Sequence, residues 1–117
     1  MKKVFILLLS LSLGFATVNA QDANKSELHQ RAESDFEKGN VPSARFHFIR
    51  AFEDYAKKGQ LKAGMECAAR GTALYYKENY WKEAFDLLRR ADQEIEVNGK
   101  NAKDKAALHY IITKQQI

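Results

Sequence analysis

Apolar and small residues recur along this chain at steps of three and four, the period of an α-helix, and short polar breaks interrupt them. The clearest instance is 71–91. Thr72, Tyr75 and Tyr76 precede a break at Lys77, Glu78 and Asn79, and Trp81, Ala84, Phe85, Leu88 and Ala91 follow it. Two helices joined by so few residues run antiparallel and pack on each other, and Ala84 and Ala91 let the backbones approach closely. The pattern predicts a helical hairpin with Trp81 buried at its centre.

The hairpin recurs. An offset of 40 residues pairs Ala44 with Ala84, Arg50 with Arg90, Ala51 with Ala91 and Gly59 with Gly99. It also sets Phe36 against Tyr76, Val41 against Trp81, Phe48 against Leu88 and Tyr55 against Ile95, and lays Gly39-Asn40 on Asn79-Tyr80. Gly and Asn both tolerate the left-handed conformation that ends a helix, and Gly59 and Gly99 are expected to end the second helix of each hairpin that way. The helices are predicted over 25–38, 41–58, 61–78 and 80–98, with a polar corner at 57–60 and no strand. Asn40 is expected to cap the second helix with its side chain, and Pro42 is tolerated in a first turn. Leu28, Ala32 and Phe36 form the inner stripe of the first helix, answered by Val41, Ala44, Phe48, Ala51, Phe52 and Tyr55 on the second. A further 40 residues bring Leu28 and Ala68 onto Leu108, and Ala32 and Thr72 onto Ile112, so 104–117 reads as the start of a third repeat, laying Ala107, Leu108, Ile111 and Ile112 against the second.

A small residue, a Tyr, a Gly/Asn turn, an aromatic and then Ala, an apolar residue and Ala at this spacing resemble the tetratricopeptide repeat. The resemblance covers 25–117 and implies an all-α fold of antiparallel helical hairpins stacked as a tetratricopeptide-like solenoid. The usual unit of that family is about 34 residues, so a spacing of 40 implies longer helices; helical repeats of neighbouring types and a plain four-helix arrangement fit the same pattern. The family binds extended or helical peptides in a groove lined by the first helix of each repeat. Matched position by position, that groove takes His29, Glu33, Phe36 and Glu37 from the first repeat and Ala69, Ala73, Tyr76 and Lys77 from the second. The other reading of Phe36 and Tyr76 is that they pack between hairpins.

The amino-terminal segment has a different character. Lys2 and Lys3 precede an apolar run from Val4 to Val18, and Val18-Asn19-Ala20 places compact residues where a signal peptidase reads them. Residues 1–20 therefore read as a secretory leader cleaved after Ala20, or as an anchor if uncleaved, and the chain is expected in the periplasm or outside the cell. The leader takes two lysines with it, leaving 17 basic against 15 acidic side chains on 21–117, a near balance that does not suggest direct nucleic-acid contact. A single cysteine, Cys67, excludes an internal disulfide and reads as a small buried hydrophobe, with a reactive or intermolecular thiol as the alternative.

No catalytic constellation, phosphate loop or metal spacing stands out, and His29, His47 and His109 read as surface or half-buried helix residues, so neither enzyme activity nor a cofactor is expected. Two classes of function follow. One is an exported interaction module that holds a protein or peptide. The other is the periplasmic sensory part of a membrane-bound transcriptional regulator or sensor kinase, with membrane contact only through an uncleaved leader or a downstream span. The apolar side of the last helix adds self-association as a third kind of contact.

Overall fold

The computed structural model describes residues 24–114, which form five helices: α1 (Glu27–Glu37), α2 (Val41–Lys57), α3 (Leu61–Lys77), α4 (Trp81–Asn98) and α5 (Ala102–Lys114). The leader and cleavage point expected over 1–20 lie outside the described residues, as do 115–117 at the end of the third predicted repeat. No strand occurs among the described residues, and none of their helices is long and apolar enough to cross a membrane.

One turn, used three times, sets the spacing. Gly39, Gly59 and Asn79 have φ of 79°, 73° and 65°, the left-handed region that glycine enters freely and asparagine tolerates. Around each, two backbone bonds close the preceding helix. Gly39 N–H donates to Phe36 O and Asn40 N–H to Asp35 O; Gly59 and Gln60 donate to Ala56 O and Tyr55 O; Asn79 and Tyr80 donate to Tyr76 O and Tyr75 O. This is the Schellman closure, in which otherwise orphaned carbonyls are satisfied by the chain leaving the helix. The 40-residue offset is thus two helix-plus-turn units of 20 residues.

Two expected helix ends differ. Asn40 makes no side-chain cap, and its ψ of 77° departs from the extended value at which a cap side chain reaches forward. Ser26, at ψ 160°, is a true cap and accepts from His29 N–H at 3.1 Å. Gly99 is extended, at φ −66° and ψ 142°, not left-handed. It is needed for space instead, since a Cβ there would stand 2.5 Å from both Ile95 O and Lys105 Cγ.

The core is organised around α3, which packs between α2 and α4 and also meets α5. Nine of its residues are buried: Leu61, Gly64, Met65, Cys67, Ala68, Ala69, Gly71, Thr72 and Leu74. Most are small, and that lets three helices crowd it. At Gly71 a Cβ would lie 3.1 Å from Leu87 Cδ2 and 3.2 Å from Ile49 Cγ1, so α2 and α4 both close on this point. Phe48, Phe52, Met65 and Ile95 fill the space between.

The inner stripe of α2 is as read, with Ala44, Phe48, Ala51, Phe52 and Tyr55 buried and Val41 half-buried. On α1 the buried pair is His29 and Ala32, while Phe36 is 39% exposed. The largest correction is on α4. Its buried stripe is Ala84, Leu87, Ala91 and Ile95, whereas Trp81 and Phe85 are 54% and 60% exposed. The reason is the fit to α3: the face of α4 that meets Gly71 carries Leu87, and this rotates the ring-bearing face outward. On α5, Leu108 and Ile112 are buried, Ile111 is half-buried, and Ala107 is exposed.

Candidate functional site

Three helices contribute to one cleft of ≈ 270 Å³: α1 through Lys25 (just ahead of it), His29 and Glu33, α3 through Glu66 and Arg70, and α5 through Tyr110, Ile111 and Lys114. Its back wall is fixed by a buried polar unit. Tyr55 Oη accepts from Ser26 N–H at 2.8 Å and lies 3.0 Å from His29 Nδ1, while the His29 ring meets Phe48 and Tyr55 edge-on at 6.2 and 5.7 Å. Burial pushes the His29 pKa below the usual histidine value, with Lys25 and Arg70 acting in the same direction against Glu33 and Glu66. The lowered pKa favours the neutral imidazole, which shares a hydrogen bond with the Tyr55 hydroxyl at Nδ1.

The charges of the cleft are unevenly committed. Lys25 Nζ donates to both Glu33 carboxylate oxygens at 3.1 Å. Arg70 instead lies over the Phe48 and Phe36 rings, 4.7 and 5.1 Å from their centroids, and forms no ion pair or hydrogen bond among the described residues. Its guanidinium is held in place by ring faces and keeps its donors available. Arg45 shows the opposite arrangement: it sits between the Tyr75 and Tyr80 rings at 4.9 and 5.2 Å, but its charge is taken up by Glu78. Arg90, over Phe52, is likewise paired with Glu53 at 2.6 Å.

The groove positions taken from the family pattern are brought together only in part. His29 and Glu33 line the cleft, His29 as a buried residue and not the surface or half-buried histidine expected, and Phe36 adjoins it through Arg70. Glu37 and Lys77 are exposed and Ala73 is half-buried. Ala69 is fully buried and offers no surface. Tyr76 turns to other partners, with its ring 5.2 Å from Trp81 and 6.1 Å from Phe85. The offset that leads from His29 to Ala69 assumes that α1 and α3 present the same face. Helix α3 is packed by three neighbours where α1 is packed mainly by α2, so its outward arc narrows to Glu66, Arg70, Ala73 and Lys77.

Two other groupings carry chemically capable side chains. At the α1–α2 turn, Asp35 Oδ2 accepts from Ser43 Oγ at 2.7 Å and from His47 Nδ1 at 2.8 Å. The residue types match a nucleophile triad, but the serine hydroxyl donates its hydrogen bond to the carboxylate and faces Nδ1, whose own N–H is donated to Asp35, which leaves no base acting on Ser43. These bonds hold Asp35 below its usual carboxylate range and clamp the turn. Cys67 is fully buried, and burial pushes its thiol up to about 12, so it stays protonated and packs as a small hydrophobe.

Compared with protein-family models, curated proteins and solved structures, the chain matches none.

Proposed function

We propose that this chain is an exported interaction module whose hairpins stack in the manner of a tetratricopeptide-like solenoid and whose α1/α3/α5 face takes an extended peptide. The observation that carries the reading is Arg70. In a protein where Arg45 and Arg90 are paired with carboxylates, this guanidinium is fixed on two rings at a cleft and has no anionic partner among the described residues. A peptide lying across α1, α3 and α5 would supply one, with an acidic side chain on Arg70 and an apolar one against Phe36 or Ile111. The secretory character of 1–20 supports the exported setting.

The test is selection of peptides from a displayed library on folded 21–117. Enriched peptides are expected to share an acidic residue and to lose binding when Arg70→Ala is introduced, with the helical circular dichroism unchanged. Enriched peptides indifferent to Arg70→Ala, or no enrichment at all, would overturn the cleft as the binding site. Intact mass of the exported protein checks the setting, with a chain beginning at Gln21 as the expected result.

A further inference from the structure

The face of α4 that carries Trp81 also carries Phe85, Leu88, Asp92 and Glu96, all within one arc of the helix. The second half of this stripe is already occupied by a helix. His109 of α5 reaches Asp92 Oδ1 at 3.0 Å and Glu96 Oε1 at 3.1 Å, Lys105 lies 3.7 Å from Glu96, and Leu88 and Ile111 pack at the edge of the core. Among the described residues, no helix lies over the first half, and Trp81 and Phe85 there are 54% and 60% exposed. From His109 to Lys114 the described part of α5 advances roughly 7.5 Å, whereas Phe85 and Trp81 stand roughly 10 and 16 Å from Asp92 along α4.

The first half is built as a surface and not as scattered rings. Tyr76, from α3, meets Trp81 and Phe85 edge-on, at interplanar angles of 62° and 86°, so three rings from two helices support one another while the two on α4 remain more than half exposed. The charges at its rim that are already spent form pairs, Arg45 with Glu78 and Arg89 with Asp86. Those left over beside the rings in the chain are basic: Lys77 and Lys82 are exposed and make no ion pair among the described residues. Glu83 is exposed as well but lies on the opposite side of α4 from the rings.

The geometry points to an interaction surface for an amphipathic helix of another protein, laid in line with α5 across Tyr76, Trp81 and Phe85, with an apolar stripe flanked by acidic residues. A helix is the occupant because the same stripe of α4 already takes one, at the same spacing, a few turns further along. Acidic flanks follow from the two uncommitted lysines, Lys77 and Lys82. A second copy fits less well, since α5, the helix that already packs on this stripe, carries Lys103, Lys105 and Lys114 beside its apolar positions. The surface is separate from the Arg70 cleft and does not rest on that assignment.

Trp81 is the chain's single tryptophan, so its fluorescence reports on this site alone. The probes are a synthetic amphipathic peptide with leucines on one helical face flanked by glutamates, and its twin with lysines in place of the glutamates. In the free monomer the emission is expected to be that of a solvated indole. The acidic peptide should shift it to shorter wavelength saturably, and about tenfold more tightly than the basic twin. Phe85→Ala should abolish the shift, the Lys77→Glu, Lys82→Glu double variant should reverse the preference, and Arg70→Ala should change neither. A shielded emission in the free monomer, no shift with either peptide, or equal affinity for both would overturn the proposal. So would a concentration-dependent shift with dimerisation in sedimentation, which would assign the face to a second copy, or a shift on anionic vesicles alone.

Discussion

The two hairpins share a turn, a spacing and a line of matching residues, yet their second helices fill the core differently: α2 buries rings and leaves only Phe46 of its aromatics outward, whereas α4 buries none. In α1–α2, Phe48, Phe52 and Tyr55 are buried, and both ends of the hairpin are tied by polar contacts, Asp35 with Ser43 and His47 at the turn and Ser26 with His29 and Tyr55 at the other end. In α3–α4 the buried positions of the second helix are Ala84, Leu87, Ala91 and Ile95, while Tyr80, Trp81 and Phe85 face outward. The difference comes from the neighbours. Helix α2 lies between α1 and α3 and needs bulk on two sides, whereas α4 closes on the small-residue face of α3 and meets α5 over only part of its length. Local pattern therefore specifies the helix and its turn, and the neighbours decide which of two equally helical stripes becomes core.

The largest effect should come from removing corresponding bulk in the two hairpins. Phe48→Ala deletes a fully buried ring and is expected to cost about 3–5 kcal/mol in urea unfolding. Trp81→Ala and Phe85→Ala, which remove larger or equal side chains from the surface, should each cost less than about 1 kcal/mol. Comparable losses in both hairpins would mean that Trp81 is core after all and that the two second helices fill the core alike.

Much of this architecture is legible in the residues, and the exceptions have a common origin. Helix type, helix limits to within a few residues, the turns at Gly39, Gly59 and Asn79, and the core face of α2 all follow from periodicity and turn chemistry, which are local. The face of α4 does not, because Trp81, Phe85, Leu88 and Ala84, Leu87, Ala91 both satisfy the helical period, and only the fit of Leu87 at Gly71 separates them. The candidate site divides along the same line. Of the α1 positions taken from the family pattern, His29 and Glu33 line the cleft and Phe36 adjoins it through Arg70, and this side of α1 is not pinched between neighbours. Arg70 and Lys114 sit where packing against α3 sets the outward arc, and the register carried over from α1 falls one residue short.

A middle-sized effect is expected at the polar end of the first hairpin. Tyr55→Phe keeps the ring but strands the Ser26 N–H and His29 Nδ1, at a cost of about 1–3 kcal/mol. The same unit gives the fold a pH response. Because the folded-state pKa of His29 lies below its unfolded value, the unfolded chain binds the proton first; stability is full above the usual histidine pKa near 6.5 and declines as pH falls through it. Asp35 and Glu96 are shifted down as well, Asp35 by its hydrogen bonds from Ser43 and His47 and Glu96 by His109 and Lys105, so their contribution is lost only below the ordinary carboxylate range, near pH 4. Urea midpoints between pH 7.5 and 5.5 should fall for the native chain and lose the His29 part of that slope in His29→Leu; an unchanged slope in that variant would place the response elsewhere.

The smallest effect separates the turns themselves. Gly39 and Asn79 occupy equivalent positions at φ of 79° and 65°, one without a Cβ and one with a side chain that only tolerates the left-handed region. Beyond the glycine and its two chain neighbours, no atom lies within 4 Å of where a Cβ at Gly39 would stand, so Gly39→Ala isolates the backbone term and should cost about 1 kcal/mol. Asn79→Gly relaxes the same term in the second hairpin and should stabilise by about 0.5 kcal/mol, the gain being reduced by the extra freedom of glycine in the unfolded chain. Thermal midpoints of the two variants decide the point. If both changes destabilise by similar amounts, Asn79 is held by contacts of its own side chain, and the turn of the second hairpin is not the simple counterpart of the first.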